Sequence, residues 1–166
     1  GINAEYGEMK NQRIITNHLR DAMKQTDFKV QIVGNDLSQV HFSIKGPAGT
    51  IFEGGIYHGL IRLPAEFPFK APDIELITPS GRFEVNKKIC VNGYTAWHQD
   101  TWSPAINITA IVHAVQSLFS DLDQHGIGYD FPIREAEVKK HVESSKQFVC
   151  PHCKMEHKSL EAALQK

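Results

Sequence analysis

Thr78-Pro79-Ser80-Gly81-Arg82-Phe83-Glu84-Val85-Asn86-Lys87-Lys88-Ile89-Cys90-Val91-Asn92-Gly93-Tyr94-Thr95-Ala96-Trp97-His98-Gln99-Asp100-Thr101-Trp102-Ser103-Pro104-Ala105 is the stretch on which the reading of this chain turns. Neither the helical nor the strand period of apolar residues holds across it, and a connection of this length in a compact domain is either a functional loop or disordered. Phe83, Ile89, Val91, Tyr94, Trp97 and Trp102 carry more apolar surface than a solvated coil, so the loop is expected to pack and to hold Cys90 in one place. Cys90 itself has two readings: a buried small hydrophobe, or a reactive thiol whose thiolate is favoured by Lys87 and Lys88 just upstream.

The residues before the loop read as an antiparallel sheet. Phe28 to Val33 and Val40 to Ile44 are β-rich runs separated by Gly34-Asn35-Asp36, which predicts a hairpin. Gly46-Pro47-Ala48-Gly49 turns the chain, and Gly54-Gly55 precedes Ile56 to Leu63, where Tyr57, Ile61 and Leu63 share one face. Pro64 to Pro72 breaks regular structure at three prolines, with one of Phe67 and Phe69 expected in the core and the other at a partner contact. Asp73 to Thr78 is the fourth strand, and the lack of crossover helices makes the sheet an antiparallel meander.

Helices flank this sheet. Met9, Ile15, Leu19, Ala22 and Met23 predict a helix from about Glu5 to Gln25, whose other side carries a stripe of Lys10, Arg13, Asn17, Arg20 and Lys24. That stripe is either an ordinary solvated face or a dock for an acidic partner. After the loop, Ser103-Pro104 reads as a helix start, with serine as N-cap and proline at the first position, followed by a core helix through Ile108, Ile111, Val112, Val115, Leu118 and Phe119. Gly126 and Gly128 mark a loop, and a more exposed helix is expected from Asp130 and Pro132 to about Phe148. The fold class is α+β.

The 166 residues, 41% of them hydrophobic, suit one domain with a short appendage. A net charge of -1 gives the chain as a whole no electrostatic case for nucleic acid or an anionic membrane. No apolar run approaches the ~20 residues needed to span a bilayer, so no membrane contact is expected from the chain as given. Three cysteines do not make a disulfide framework, which favours a reducing compartment.

Taken in order, Gly46-Pro47, Gly54-Gly55-Ile56-Tyr57, Pro64, Phe67-Pro68-Phe69-Lys70-Ala71-Pro72, Thr78-Pro79-Ser80-Gly81-Arg82-Phe83, Ile89-Cys90 and Trp102-Ser103-Pro104-Ala105 resemble the catalytic domain of a ubiquitin-conjugating enzyme over about residues 8 to 148. Thr-Pro-x-Gly-Arg-Phe in place of His-Pro-Asn is similar to the J-type branch, which is tail-anchored in the endoplasmic reticulum and acts in protein quality control. A cysteine ten residues after the motif's third position and His98 before Asp100-Thr101-Trp102 also fit that branch.

The resemblance implies that Cys90 accepts ubiquitin as a thioester from an activating enzyme and passes it to a substrate or a ligase. It places the activating enzyme on Lys10, Arg13, Arg20 and Lys24, and a RING ligase on Phe69, Ser103, Pro104 and Ala105. ATP is used by the activating enzyme, so no cofactor is expected here. Ser80 stands where most of the family has asparagine, whose amide is proposed to stabilise the oxyanion; a hydroxyl is shorter and has one donor. Asn86, Asn92 and His98 are alternative donors, His98 is also a candidate base, and Asp123 or Asp121 matches the acidic residue near an incoming lysine. The alternative function is an inactive scaffold that binds ubiquitin or ligases. The implied location is the cytoplasm, on the cytosolic face of the endoplasmic reticulum if the native chain carries an anchor beyond Lys166.

The catalytic domain is thus expected over residues 1 to 148, with 149 to 166 as a partly disordered tail. Cys150-Pro151-His152-Cys153 with His157 has the look of half a zinc site, its fourth ligand to come from His141, His125, a second chain or further sequence. The reading preferred from the sequence is nonetheless a plain tail with two oxidisable thiols and no bound zinc. A thioredoxin-like redox use is discounted because the string lacks a βαβ context.

Overall fold

The computed structural model describes residues 9–164, apart from the side chains of residues 97–99. Helix α1 (Gln12–Met23) is followed by strands β1 (Phe28–Gln31), β2 (Gln39–Lys45), β3 (Ile56–Arg62) and β4 (Asp73–Leu76), then α2 (Ile108–Ser117), α3 (Glu135–Ser145) and α4 (His157–Ala163). The sheet runs β1-β2-β3-β4 with every pair antiparallel, the α+β meander expected from the turn residues between the strands.

The period of two along the strands sorts the sheet into two faces. Val40, Phe42 and Ile44 of β2 and Tyr57 and Ile61 of β3 join the main core, which α2 completes with Ile108, Ile111, Val112 and Val115. Helix α1 adds Ile15, Leu19 and Ala22 from its apolar side and packs on β1 and α2. The other face of β2 and β3 presents His41, Ser43 and His58, polar residues that an antiparallel sheet normally gives to water. All three are buried, because residues 149–164 cover them.

That cover is not a loose tail. Val149 pairs with Glu156 across a tight turn, and α4 follows, with Cys150, Cys153, Met155, Leu160 and Leu164 forming a small apolar cluster separate from the main core. Ser145, at the end of α3, accepts the Ile56 N–H through its hydroxyl (3.0 Å) and so carries the chain over the start of β3.

Two helix starts differ from expectation. Ser103 does not cap α2; its carbonyl and hydroxyl close a single turn with the Ile106 and Ala105 N–H groups. Asn107 is the N-cap, its side chain accepting the Ala110 N–H at 2.8 Å, so Pro104 lies outside the helix. Helix α3 begins at Glu135 rather than Asp130, and places Glu135 and Glu137 in its first turn where they meet the positive end of the helix dipole. In α1, the described helix starts at Gln12; Asn11, immediately before it, uses its amide to donate to the Glu66 and Phe67 carbonyls.

Candidate active site

Cys90 lies in the long loop with its backbone held on both sides. Its N–H donates to the Ile127 carbonyl (3.1 Å), and its own carbonyl accepts the Tyr129 hydroxyl (3.0 Å). Ile89 donates to the Ile74 carbonyl of β4, and Val91 to the Thr95 hydroxyl. Ile89 and Val91 are buried, whereas Cys90 is half-buried, at a groove of about 490 Å3 that it shares with Asn92, Asp123, Gln124, His125, Gly126, Ile127 and Tyr129. The apolar residues beside the cysteine therefore do what the loop's composition implied: Ile89 and Val91 anchor it and the thiol stays reachable.

The second wall of the groove depends on a close backbone approach. Gly128 has φ +87°, and a Cβ there would lie 2.6 Å from both the Lys88 carbonyl oxygen and the Ile89 side chain. Only glycine allows this segment to lie so close to the cysteine loop. Behind it, the fully buried Arg82 donates to the carbonyls of Leu118 (2.8 Å), Asp121 (3.0 Å) and Gln124 (2.6 Å), and its guanidinium sits over the Tyr129 ring at 4.9 Å. Burial pushes the Tyr129 phenol up to about 12, with Arg82 opposing the shift, so at neutral pH the ring is an uncharged donor to Cys90.

The structure separates the sequence candidates. Asp123 and Asn92 are exposed and line the groove with Cys90. Ser80 is fully buried, and its hydroxyl oxygen accepts the N–H groups of Arg82 (3.1 Å) and Phe83 (3.2 Å); it supports the turn and is not among the groove residues. Asp121 holds Gln124 through its carboxylate. Asn86 is exposed, with φ +58°. Lys87 and Lys88, expected to favour the thiolate, are ion-paired with Glu84 (3.5 Å) and Asp73 (3.3 Å), which offsets their charge. The His98 side chain lies outside the described residues. Tyr129, Arg82 and His125 had no role assigned at this site; the glycines of Gly126-Ile127-Gly128 were the signal that a tight segment passes here.

Arg13 and Arg20 are exposed on the side of α1 away from Ile15 and Leu19. Lys10 lies before the helix and Lys24 is its C-cap, both exposed, so the helix itself carries only part of the basic stripe expected on it. Phe67 is buried and Phe69 is 59% exposed. The Trp102 indole donates to the Pro68 carbonyl (2.8 Å), which brings the exposed Ser103, Pro104 and Ala105 to the same surface as Phe69. The Lys10 N–H donates to the Ala65 carbonyl, so the basic stripe ends beside that surface.

Away from the groove, His41, His58, Cys150 and Cys153 converge with their ligand atoms within 4.8 Å of one another. This grouping runs against the plain tail preferred from the sequence, where Cys150 and Cys153 were only possible ligands. The histidines that join them are His41 and His58 rather than His141 or His125, and His157 instead reaches the Ser43 hydroxyl (2.9 Å) one layer behind His58.

A family model described as ubiquitin-conjugating enzyme matches residues 12–146. Human ubiquitin-conjugating enzyme E2 J1 is 37% identical over 129 residues, covering 76% of this chain and 39% of that protein. The probable ubiquitin-conjugating enzyme E2 L709 of Acanthamoeba polyphaga mimivirus is 35% identical over 147 residues, covering 81% and 37%. The chain thus spans well under half the length of these relatives. A solved structure described as a putative ubiquitin conjugating enzyme from Plasmodium yoelii superposes with TM-score 0.65 at 23% identity, covering 86% of this chain and 97% of that one, and shares the fold.

Proposed function

The chain belongs to the ubiquitin-conjugating enzyme family, and on that premise we propose that Cys90 carries ubiquitin as a thioester between an activating enzyme and an acceptor. The observation that carries this reading is the half-buried thiol at an open groove, on a backbone held from both sides. In loading, the Cys90 thiolate attacks the ubiquitin thioester on the activating enzyme, a new S–C bond forms, and the activating enzyme's thiolate leaves. In discharge, an acceptor amine, hydroxyl or ligase thiol attacks the same carbonyl carbon, and Cys90 leaves as thiolate. Both steps exchange one acyl bond for another, so the chain must mainly orient the nucleophile and stabilise an oxyanion. No cofactor takes part at Cys90.

Within the groove, Asn92 is the side-chain donor best placed for the oxyanion, because Ser80 is buried under its own turn. Asp123 receives the incoming amine and its proton. The basic residues Lys10, Arg13, Arg20 and Lys24 meet the activating enzyme, and Phe69 with Ser103, Pro104 and Ala105 meets a RING ligase, an assignment supported by their shared exposure and by the Trp102–Pro68 bond. Residues up to 148 act as the catalytic unit and 149–166 as an appended segment. The resemblance to the J-type branch, together with the likeness to E2 J1, supports a place in protein quality control, in the cytoplasm, and on the cytosolic face of the endoplasmic reticulum if the native chain carries an anchor beyond Lys166. No helix among the described residues is long and apolar enough to cross a membrane.

The test is incubation with activating enzyme, ATP and ubiquitin, followed on non-reducing gels. A thiol-sensitive adduct is expected. Discharge onto free lysine is expected to slow by up to about 100-fold in Asn92→Ala with loading retained, the cost of losing one oxyanion donor. Absence of any adduct on folded protein would leave the scaffold reading, a chain that binds ubiquitin or ligases without carrying the thioester.

A further inference from the structure

We propose that His41, His58, Cys150 and Cys153 form a closed structural zinc site that fastens the C-terminal segment to the outer face of the sheet. A tetrahedral zinc ion with two nitrogen and two sulfur ligands requires edges of about 3.3 Å between nitrogens and about 3.6 Å between nitrogen and sulfur. Here His41 Nδ1 lies 3.1 Å from His58 Nε2, Cys153 Sγ lies 3.7 Å from His58 Nε2, and Cys150 Sγ lies 3.8 Å from His41 Nδ1. The two histidines come from different strands, brought together because His58 pairs with Ser43, two residues along β2 from His41.

Hydrogen bonding behind the cluster orients the His58 lone pair. The Ser145 carbonyl can only accept, so His157 Nδ1 carries its proton toward it (2.8 Å) and Nε2 of the neutral ring is an acceptor. Ser43 therefore donates its hydroxyl proton to His157 and accepts from His58 Nδ1 (2.7 Å), which leaves His58 Nε2 unprotonated and facing the thiols. Such a fixed outer layer is what metal-ligating histidines ordinarily have.

The hairpin that supplies the sulfurs is shaped for the same purpose. The Cys153 N–H points at Cys150 Sγ (3.5 Å), and Lys154 is held at φ +66°, a left-handed conformation that a non-glycine residue adopts at a cost. Four protein ligands, all buried, leave no open position for substrate, and two thiolates with two imidazoles select zinc over magnesium or calcium. Such a staple explains how a segment with only a small apolar cluster of its own stays packed on a sheet face made of histidine and serine. Both cysteines lie beyond the region matched by the family model, while both histidines lie within it.

The full chain is expressed in zinc-supplemented medium, purified under reductant without chelator, and its metal content measured. About one zinc per chain is expected, lost in Cys153→Ser and in His58→Gln, with affinity reduced about 10–100-fold in Ser43→Ala. Cobalt(II) in place of zinc is expected to give thiolate charge-transfer and tetrahedral ligand-field bands. Thermal unfolding and near-ultraviolet dichroism follow the folding of each variant, so the result does not depend on ubiquitin transfer. If Cys153→Ser and His58→Gln fail to fold, zinc content and the cobalt spectrum of the unaltered chain decide. Zinc below about a tenth of an equivalent with no uptake of added Zn(II), an octahedral cobalt spectrum, or undiminished zinc in folded Cys153→Ser would overturn the proposal.

Discussion

The cysteine at position 90 and the pair at 150 and 153 occupy opposite kinds of surroundings. Cys90 is half-buried at an open groove, its backbone tied down and no second thiol or imidazole ring hydrogen-bonded to its sulfur among the described residues. Cys150 and Cys153 are buried, face each other across a turn, and converge on two strand histidines. The same side chain thus suits two chemistries, and the surroundings choose between them. A nucleophile needs access and a fixed approach direction; a structural ligand needs exclusion of water and partners at metal-bond spacing.

If that contrast is right, damage to one region should leave the other working. The largest effect is expected from Arg82→Ala, which strips three carbonyls, that of buried Leu118 among them, of their donor and removes the support behind the groove. Chemical denaturation should show a loss of about 3–5 kcal/mol, with zinc content per folded chain unchanged. Gly128→Val comes next: a side chain at φ +87° would meet the Lys88 carbonyl oxygen, so the groove wall must shift. A loss of about 1–3 kcal/mol and at least tenfold slower loading, an order-of-magnitude expectation, are predicted by unfolding and single-turnover assays.

Tyr129→Phe is the smallest change. It removes one hydrogen bond to the Cys90 carbonyl, and should cost about 1 kcal/mol. It also carries a pH signature. Because the folded phenol ionises near 12 and the unfolded one near 10.0, its contribution is complete below pH 10.0 and is lost as the pH rises toward 12. Unfolding midpoints measured across that range should fall less steeply in Tyr129→Phe than in the unaltered chain.

The sheet was legible because its signals are local. Alternation in Phe28 to Ile44 and the glycine pairs between strands state their faces and turns directly, and Tyr57 and Ile61 fell on the predicted side. The start of α2 was not, since Ser103 and Asn107 are both good caps and only packing shows which one closes a lone turn. Cys90 could be singled out by its loop, but the groove opposite it is built by residues 123–129, and nothing local ties Tyr129 to Cys90. The metal cluster was half visible. Cys150 and Cys153 announce themselves by spacing, whereas His41 and His58 become partners only through the register of β2 on β3 and the fold-back of the last residues. Two histidines alternating onto the polar face of neighbouring strands were the available signal.

The contrast between the two cysteine regions is tested most directly by intact-mass analysis of the ubiquitin-loading reaction on the unaltered chain, Cys90→Ala and the double variant Cys150→Ser with Cys153→Ser. One thiol-sensitive ubiquitin adduct is predicted on the unaltered chain and on the folded double variant, and none on Cys90→Ala. An adduct that survives Cys90→Ala, or one that disappears from the double variant while its main domain remains folded, would contradict the account.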